Sequence, residues 1–104
     1  MFGLDTLAEI VARRSQADAE ASYTRALLDK GVAKCAKKFG EEATEAVIAA
    51  VAEDDRALVG EAADVLYHLI VMLRSRNIPL SLVMQELESR TAQSGHAEKA
   101  SRPK

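Results

Sequence analysis

At 104 residues with 48% hydrophobic content, the chain has room for one domain with a modest core and is too short for two. Its 14 basic and 16 acidic residues leave a formal charge of -2, which excludes a nucleic-acid binder working by general attraction to phosphates and confines any phosphate site to a local basic cluster. The single cysteine, Cys35, excludes an internal disulfide, and the longest apolar stretches, Ala46 to Ala52 and Leu69 to Leu73, fall well short of the ~20 residues that span a bilayer.

The start, "MFGLDTLAEIVARRS", lacks the basic, apolar and small-residue sections of a secretory signal, so a cytoplasmic protein with neither membrane nor nucleic acid as partner is expected. Alanine and leucine dominate, aromatics make up 4%, and Pro79 and Pro103 are the only prolines, so local preference favours helix and no strand is predicted. A first helix is expected from near Asp5 or Thr6 to about Ser15, with Thr6 and Glu9 at capping-box spacing and Leu4, Leu7, Ile10 and Val11 as its buried stripe. In "DAEASYTRALLDKG" the hydroxyls of "SYT" suit a turn, with extended chain around Ser22 and then a short helical turn stopped by Gly31. A long helix from about Val32 to Ala52, a turn through "EDD" capped by Asp54 or Asp55, and a second long helix from about Arg56 to Ser75 predict an antiparallel hairpin. "RNIP" breaks the pattern before a last helix over roughly Ser81 to Thr91, and "SGHAEKASRPK" has too little apolar content to stay ordered by itself. The expected organisation is one all-α domain over residues 1–93, a small bundle of four to five helices, followed by a disordered tail over 94–104.

"KKFGEEATEAVIAAVA" sets Glu41, Glu42 and Glu45 against a run, Ala46 to Ala52, with no polar side chain in it. At ~100° of rotation per residue, Glu42 and Glu45 share a helix face. Glu61 and Asp64 repeat that spacing in the next helix and also lead into an apolar run, "VLYHLIVML". An apolar run this broad needs cover on nearly all sides, which predicts a dimer whose interface continues the core. The plain alternative for the acids is a solvated face held by salt bridges. Lys37 at four residues from Glu41, and Lys38 near Glu41 and Glu42, account for those two in this way, whereas Glu45, Glu61 and Asp64 have no base at helical spacing. Carboxylates converging at ~5 Å would repel by roughly 3 kcal/mol per pair at an effective dielectric constant of ~20, and a divalent cation removes that cost. Four hard oxygen donors suit magnesium, with manganese the alternative, far better than zinc, and Lys34, Lys37 and Lys38 close by suit a phosphorylated ligand.

"EEATE" followed by "EAAD" resembles the paired EExxE and ExxD motifs of the all-α nucleoside triphosphate pyrophosphohydrolases, which include MazG-like enzymes and dimeric all-α dUTPases. "SYTRALLDKG", "KKFGEEATEAVIAA" and "GEAADVLYHLIVML", in that order, are similar to the phosphoribosyl-ATP pyrophosphohydrolase family within it, over about residues 4 to 92. The resemblance implies an all-α fold and a catalytic set of Glu41, Glu42, Glu45, Glu61 and Asp64. Glu42, Glu45, Glu61 and Asp64 would hold Mg2+, with Glu41 behind them or as a further ligand, unless it pairs with Lys37. The implied reaction is hydrolysis of phosphoribosyl-ATP between the α and β phosphates, the second step of histidine biosynthesis, by a homodimer or a dimer of dimers. A house-cleaning enzyme for noncanonical nucleoside triphosphates and a non-enzymatic helical adaptor are the alternatives.

Ser22, Tyr23 and Thr24 would then offer hydroxyls to phosphate or ribose, although a turn is their plainer use. Lys34, Lys37 and Lys38 would meet the phosphates. His68, four residues after Asp64 on the same face, suits either a ligand contact or a hydrogen-bonded core position. Tyr67 is expected in core or interface, and Met72 and Met84 in the core. Cys35 lies among lysines that would lower its pKa, yet with no histidine beside it no catalysis is assigned. Gly40, costly inside a helix by ~1 kcal/mol, predicts a close approach of another backbone or of the ligand.

Overall fold

The computed structural model describes residues 1–92 and 95–103, and among the described residues all regular structure is helical. In chain order the helices are α1 (Leu4–Ser15), α2 (Tyr23–Asp29), α3 (Val32–Ala52), α4 (Asp55–Ser75), α5 (Leu80–Thr91) and α6 (Gly95–Ser101).

The caps explain most of these limits. Gly31 has φ of 96°, a left-handed conformation that side chains resist, so α2 stops there and α3 starts afresh. Asp54, rather than Asp55, caps α4: its Oδ1 accepts the Ala57 N–H at 2.9 Å. Asn77, with φ of 57°, closes α4, and the Ile78 N–H reaches back to the Leu73 carbonyl at 3.0 Å. At the first helix the expected cap is displaced. Gly3 occupies the N-cap and Thr6 lies three residues inside, where its Oγ1 accepts the Gly3 N–H at 3.2 Å, so the Thr6–Glu9 spacing has no capping role. Ser22 is extended, as expected, but it caps α2 by accepting the Arg25 N–H, and Tyr23 and Thr24 belong to the helix rather than to a turn.

Sixth in order, α6 falls in the segment expected to lack order and adjoins the end of α5. Its alanine, glutamate and lysine favour helix without any apolar stripe, a preference that apolar content alone does not register. The expected domain boundary at 93 and 94 lies outside the described residues.

α3 and α4, each 21 residues and ~30 Å long, fold back on one another through a short turn at Glu53 and Asp54. α1 and α2 lie across one side of this hairpin. Val11, Leu27, Cys35, Ile70 and Val71 form the buried core there, with Leu4, Leu7, Leu28 and Leu80 packed around them. Ile10 instead borders a surface hollow with Arg13, Arg14 and Ala17, and Met84 is exposed, so neither joins the core as expected. Met72 is half-buried. Burial pushes the Cys35 thiol up rather than down, and its S–H points at the Leu27 carbonyl, so the neighbouring lysines do not activate it.

The far side of the hairpin is bare. Val47 is 62% exposed, Val51 84% and Val59 70%, with Ile48 and Leu66 also open to solvent. The run from Ala46 to Ala52 is thus not covered within one chain; Ala49 alone of its side chains is buried.

Candidate active site

On the face of the hairpin beside α2, Glu42 and Glu45 of α3 meet Glu61 of α4, each offering a carboxylate oxygen within 4.8 Å of the others'. Helical spacing makes this possible: residues three apart in α3 project together, and the two-residue turn sets α4 at the height that brings Glu61 opposite. Glu42 is buried, Glu61 half-buried and Glu45 exposed. Lys38 Nζ lies 3.2 Å from Glu42 Oε1, so the expected lysine pairing falls on Glu42 and not on Glu41.

Burial pushes the Glu42 carboxyl up, but the hydrogen bonds from Lys38 and Glu45 and the charges of Lys38 and His68 outweigh it and hold the group below its usual range. Glu45 is held above its usual range, first by the Glu42 charge and then by its hydrogen bond to Glu42 and the proximity of Glu61. One oxygen, Glu61 Oε2, is buried with no hydrogen-bond partner among the described residues. A carboxylate oxygen left so costs about 1–3 kcal/mol or more, and a cation held by the cluster would satisfy it. Three carboxylates, one of them with an orphaned oxygen, fit a hard divalent cation.

The two shifts act in opposite senses. Glu45, with its folded pKa raised, favours the fold at low pH and loses that contribution as pH rises through its raised value. Glu42, with its folded pKa lowered, contributes above the ordinary carboxylate range and loses it as pH falls through its lowered value. A cation competes with the Glu45 proton, so affinity for a divalent cation is expected to weaken as pH falls into that raised range. Calorimetric titrations with magnesium at about pH 8 and about pH 5 check this, and equal dissociation constants would contradict it.

Two hydrogen-bonded pairs join α2 to α4 next to the acids. His68 is buried, and its Nδ1–H donates to the Asp64 carbonyl at 2.9 Å, which sets Nε2 in a hydrogen bond with the Tyr23 hydroxyl at 3.1 Å. His68 is thus packed and hydrogen-bonded on the face that also carries Asp64. Burial pushes the Tyr23 phenol up, and Glu42 adds to this while Lys38 opposes it. Thr24, fully buried, shares a short hydrogen bond with the Tyr67 hydroxyl, and that hydroxyl also accepts from Arg14 at 3.2 Å.

Other expected site residues stay apart from this cluster. Asp64 is exposed on the next turn after Glu61, and its carboxylate is outside the converging group. Glu41 and Lys37 form no ion pair among the described residues; with Gly40, Thr44 and Glu45 they border an open hollow of about 600 Å3. No backbone crowds Gly40, where an added Cβ would meet open space. Lys34 is exposed one turn before Lys38. Arg14 and the hydroxyl of Tyr67 escaped the sequence reading, and no local spacing signals them, because their partners lie dozens of residues away.

A helix hairpin that converges carboxylates from both arms beside a lysine is an arrangement suited to an all-α, metal-dependent phosphohydrolase. The family described as phosphoribosyl-ATP pyrophosphohydrolase matches residues 4–91, and the chain belongs to that family. It is 59% identical to the phosphoribosyl-ATP pyrophosphatase of Azorhizobium caulinodans, across 95% of this chain and 91% of the relative. Proteins of the same name from Paracoccus denitrificans and Rhizobium johnstonii are 57% and 59% identical, across 96% and 97% of this chain and 93% and 94% of theirs. No helix of the described residues is long and apolar enough to cross a membrane.

Proposed function

We propose that the protein hydrolyses phosphoribosyl-ATP to phosphoribosyl-AMP and pyrophosphate with magnesium, the second step of L-histidine biosynthesis. The observation that carries this reading is the Glu42, Glu45 and Glu61 cluster with its orphaned oxygen, in a chain so similar to relatives of that name. Asp64, on the next turn of the same face, is proposed as a further ligand and Glu41 as a group behind the cluster; manganese would suit the same donors.

A cation held there supplies charge neutralisation on the triphosphate oxygens and on the leaving pyrophosphate. The chain's own groups do the rest. The ion pair of half-exposed Lys38 with buried Glu42 keeps one carboxylate ionised and fixed in place. A carboxylate of the cluster orients the attacking water and takes its proton as the water oxygen bonds to phosphorus and the bridging oxygen between the α and β phosphates departs with pyrophosphate. Lys34 and Lys37, exposed and without an ion pair among the described residues, offer donors to the departing phosphates. The working unit is proposed as a cytoplasmic homodimer, joined through the bare valine face of α3 and α4 and able to pair into a dimer of dimers.

Pyrophosphate release from phosphoribosyl-ATP, with and without magnesium, beside a panel of ordinary and noncanonical nucleoside triphosphates, tests the reading. Magnesium-dependent release selective for phosphoribosyl-ATP is expected. Preference for a free nucleoside triphosphate would transfer the site to a house-cleaning role, and no turnover by folded, metal-loaded protein would leave the acids a structural role only.

A further inference from the structure

We infer that the cavity between the end of α1 and the start of α2 seats the second phosphate of the substrate, the monoester on its phosphoribosyl end, with Arg14 as the anion-binding group and Tyr67 as the residue that aims it. This rests on the phosphoribosyl-ATP reading, because only a substrate with two separate anionic ends needs two sites. The acid cluster can receive the triphosphate through a cation. With that cation taken by the triphosphate it offers nothing to a second anion: three carboxylates repel one, and the Lys38 ammonium is already engaged with Glu42.

The cavity has a volume of about 310 Å3 and is bordered by Arg14, Ser22, Tyr23, Thr24 and Tyr67, so one guanidinium and four hydroxyl-bearing side chains surround it. Arg14 is exposed and forms no ion pair with a carboxylate among the described residues. Its contacts are neutral: one N–H donates to the Tyr67 hydroxyl at 3.2 Å, and the guanidinium carbon lies 6.0 Å from the centre of the Tyr67 ring. The arginine fork is held at one corner, and the donors not engaged by Tyr67 remain for a ligand.

The plainer use of a basic residue in the last turn of a helix is to face the terminal carbonyls. Here the Arg14 carbonyl is taken by the Ser22 hydroxyl at 3.0 Å, and the guanidinium turns to Tyr67 instead. Tyr67 is in turn anchored by its short hydrogen bond to buried Thr24, so the direction of Arg14 is set from α4 and α2 and not by its own helix.

Tyr67 follows Glu61 by six residues, ~9 Å along α4, so the cavity and the acid cluster lie at successive positions on the same helix. Tyr23 forms a shared wall: it borders the cavity and also bonds to His68, whose ring is tied to the Asp64 carbonyl.

The test combines kinetics and binding for wild type, Arg14→Gln, Arg14→Lys and Tyr67→Phe. Arg14→Gln is expected to raise the KM for phosphoribosyl-ATP, and to weaken calorimetric binding of phosphoribosyl-AMP, by about 10- to 100-fold, the range for losing charge-assisted hydrogen bonds. Its kcat and its inhibition by pyrophosphate should stay within about threefold of wild type, since pyrophosphate lacks the ester end. Arg14→Lys should restore part of the loss, Tyr67→Phe should give a smaller rise in KM, and melting temperatures should not move for the exposed Arg14 variants. An unchanged KM and phosphoribosyl-AMP affinity in Arg14→Gln, or an equal weakening of pyrophosphate inhibition, would overturn the inference. Binding of phosphoribosyl-AMP needs no turnover and keeps the two readings apart. A wild type that turns over nothing yet binds this product through Arg14 loses the functional reading alone, and a wild type that hydrolyses the substrate while Arg14→Gln binds the product equally well loses this inference alone.

Discussion

Glu61→Gln is expected to lower turnover by at least about 1,000-fold, equivalent to ~4 kcal/mol of transition-state stabilisation, and yet to raise the melting temperature of the metal-free protein. Both effects have one cause. Glu61 is the contribution of α4 to the cluster and carries the oxygen with no partner among the described residues. The amide removes one negative charge from a site where Glu42 and Glu45 already repel, and its NH2 gives them a donor. Each kcal/mol relieved should raise the melting temperature by roughly 4–8 °C for a domain of this size. Magnesium, which should stabilise the wild type in proportion to its binding, should do so far less in the variant. Pyrophosphate release and thermal melts with and without magnesium decide the matter. A variant that melts lower and keeps its turnover would show that the acids hold the fold together and do no chemistry.

The second large effect is expected at the opposite face. Val47→Asp should convert a dimer into a monomer while leaving the helical content unchanged, because Val47 is 62% exposed and supports nothing within its own chain. Val51 and Ile48 on α3 and Val59 and Leu66 on α4 are also exposed on the hairpin, an apolar area that water would otherwise meet. An unpaired carboxylate placed at the centre of such an interface costs several kcal/mol, and ~4 kcal/mol weakens association about 1,000-fold. Light scattering across a dilution series checks this. A wild type of monomer mass, or a variant with the same mass as a dimeric wild type, would move the interface elsewhere or remove it.

How far the residues disclose the molecule in advance depends on the range of the interaction. Asp54 and Gly31 announce helix limits because a cap acts within three or four residues, and both do what their chemistry suggests. Thr6 shows the failure of that logic: the motif is real, but Gly3 offered an earlier start, and a spacing cannot say which of two frames wins. Glu42 and Glu45 could be set on one face from rotation per residue alone, and Glu61 matched to them from the hairpin. Whether Asp64 closes the group could not, since its carboxylate, one turn further on, lies outside the converging three.

The sequence by itself determined α1, α3, α4 and α5, the hairpin and the acidic face, since each follows from spacings of one to four residues and from caps. Tertiary structure alone decided the rest: that Lys38 takes Glu42, that one oxygen of Glu61 is left without a partner, and that Tyr23 meets His68 while Thr24 and Arg14 meet Tyr67. Those last contacts join residues 43 to 53 positions apart. They depend on how far each helix is rotated about its own axis when α1 and α2 pack on the hairpin, and that rotation is set by the joint fit of Val11, Leu27, Cys35, Ile70 and Val71 in one core, which no local pattern encodes.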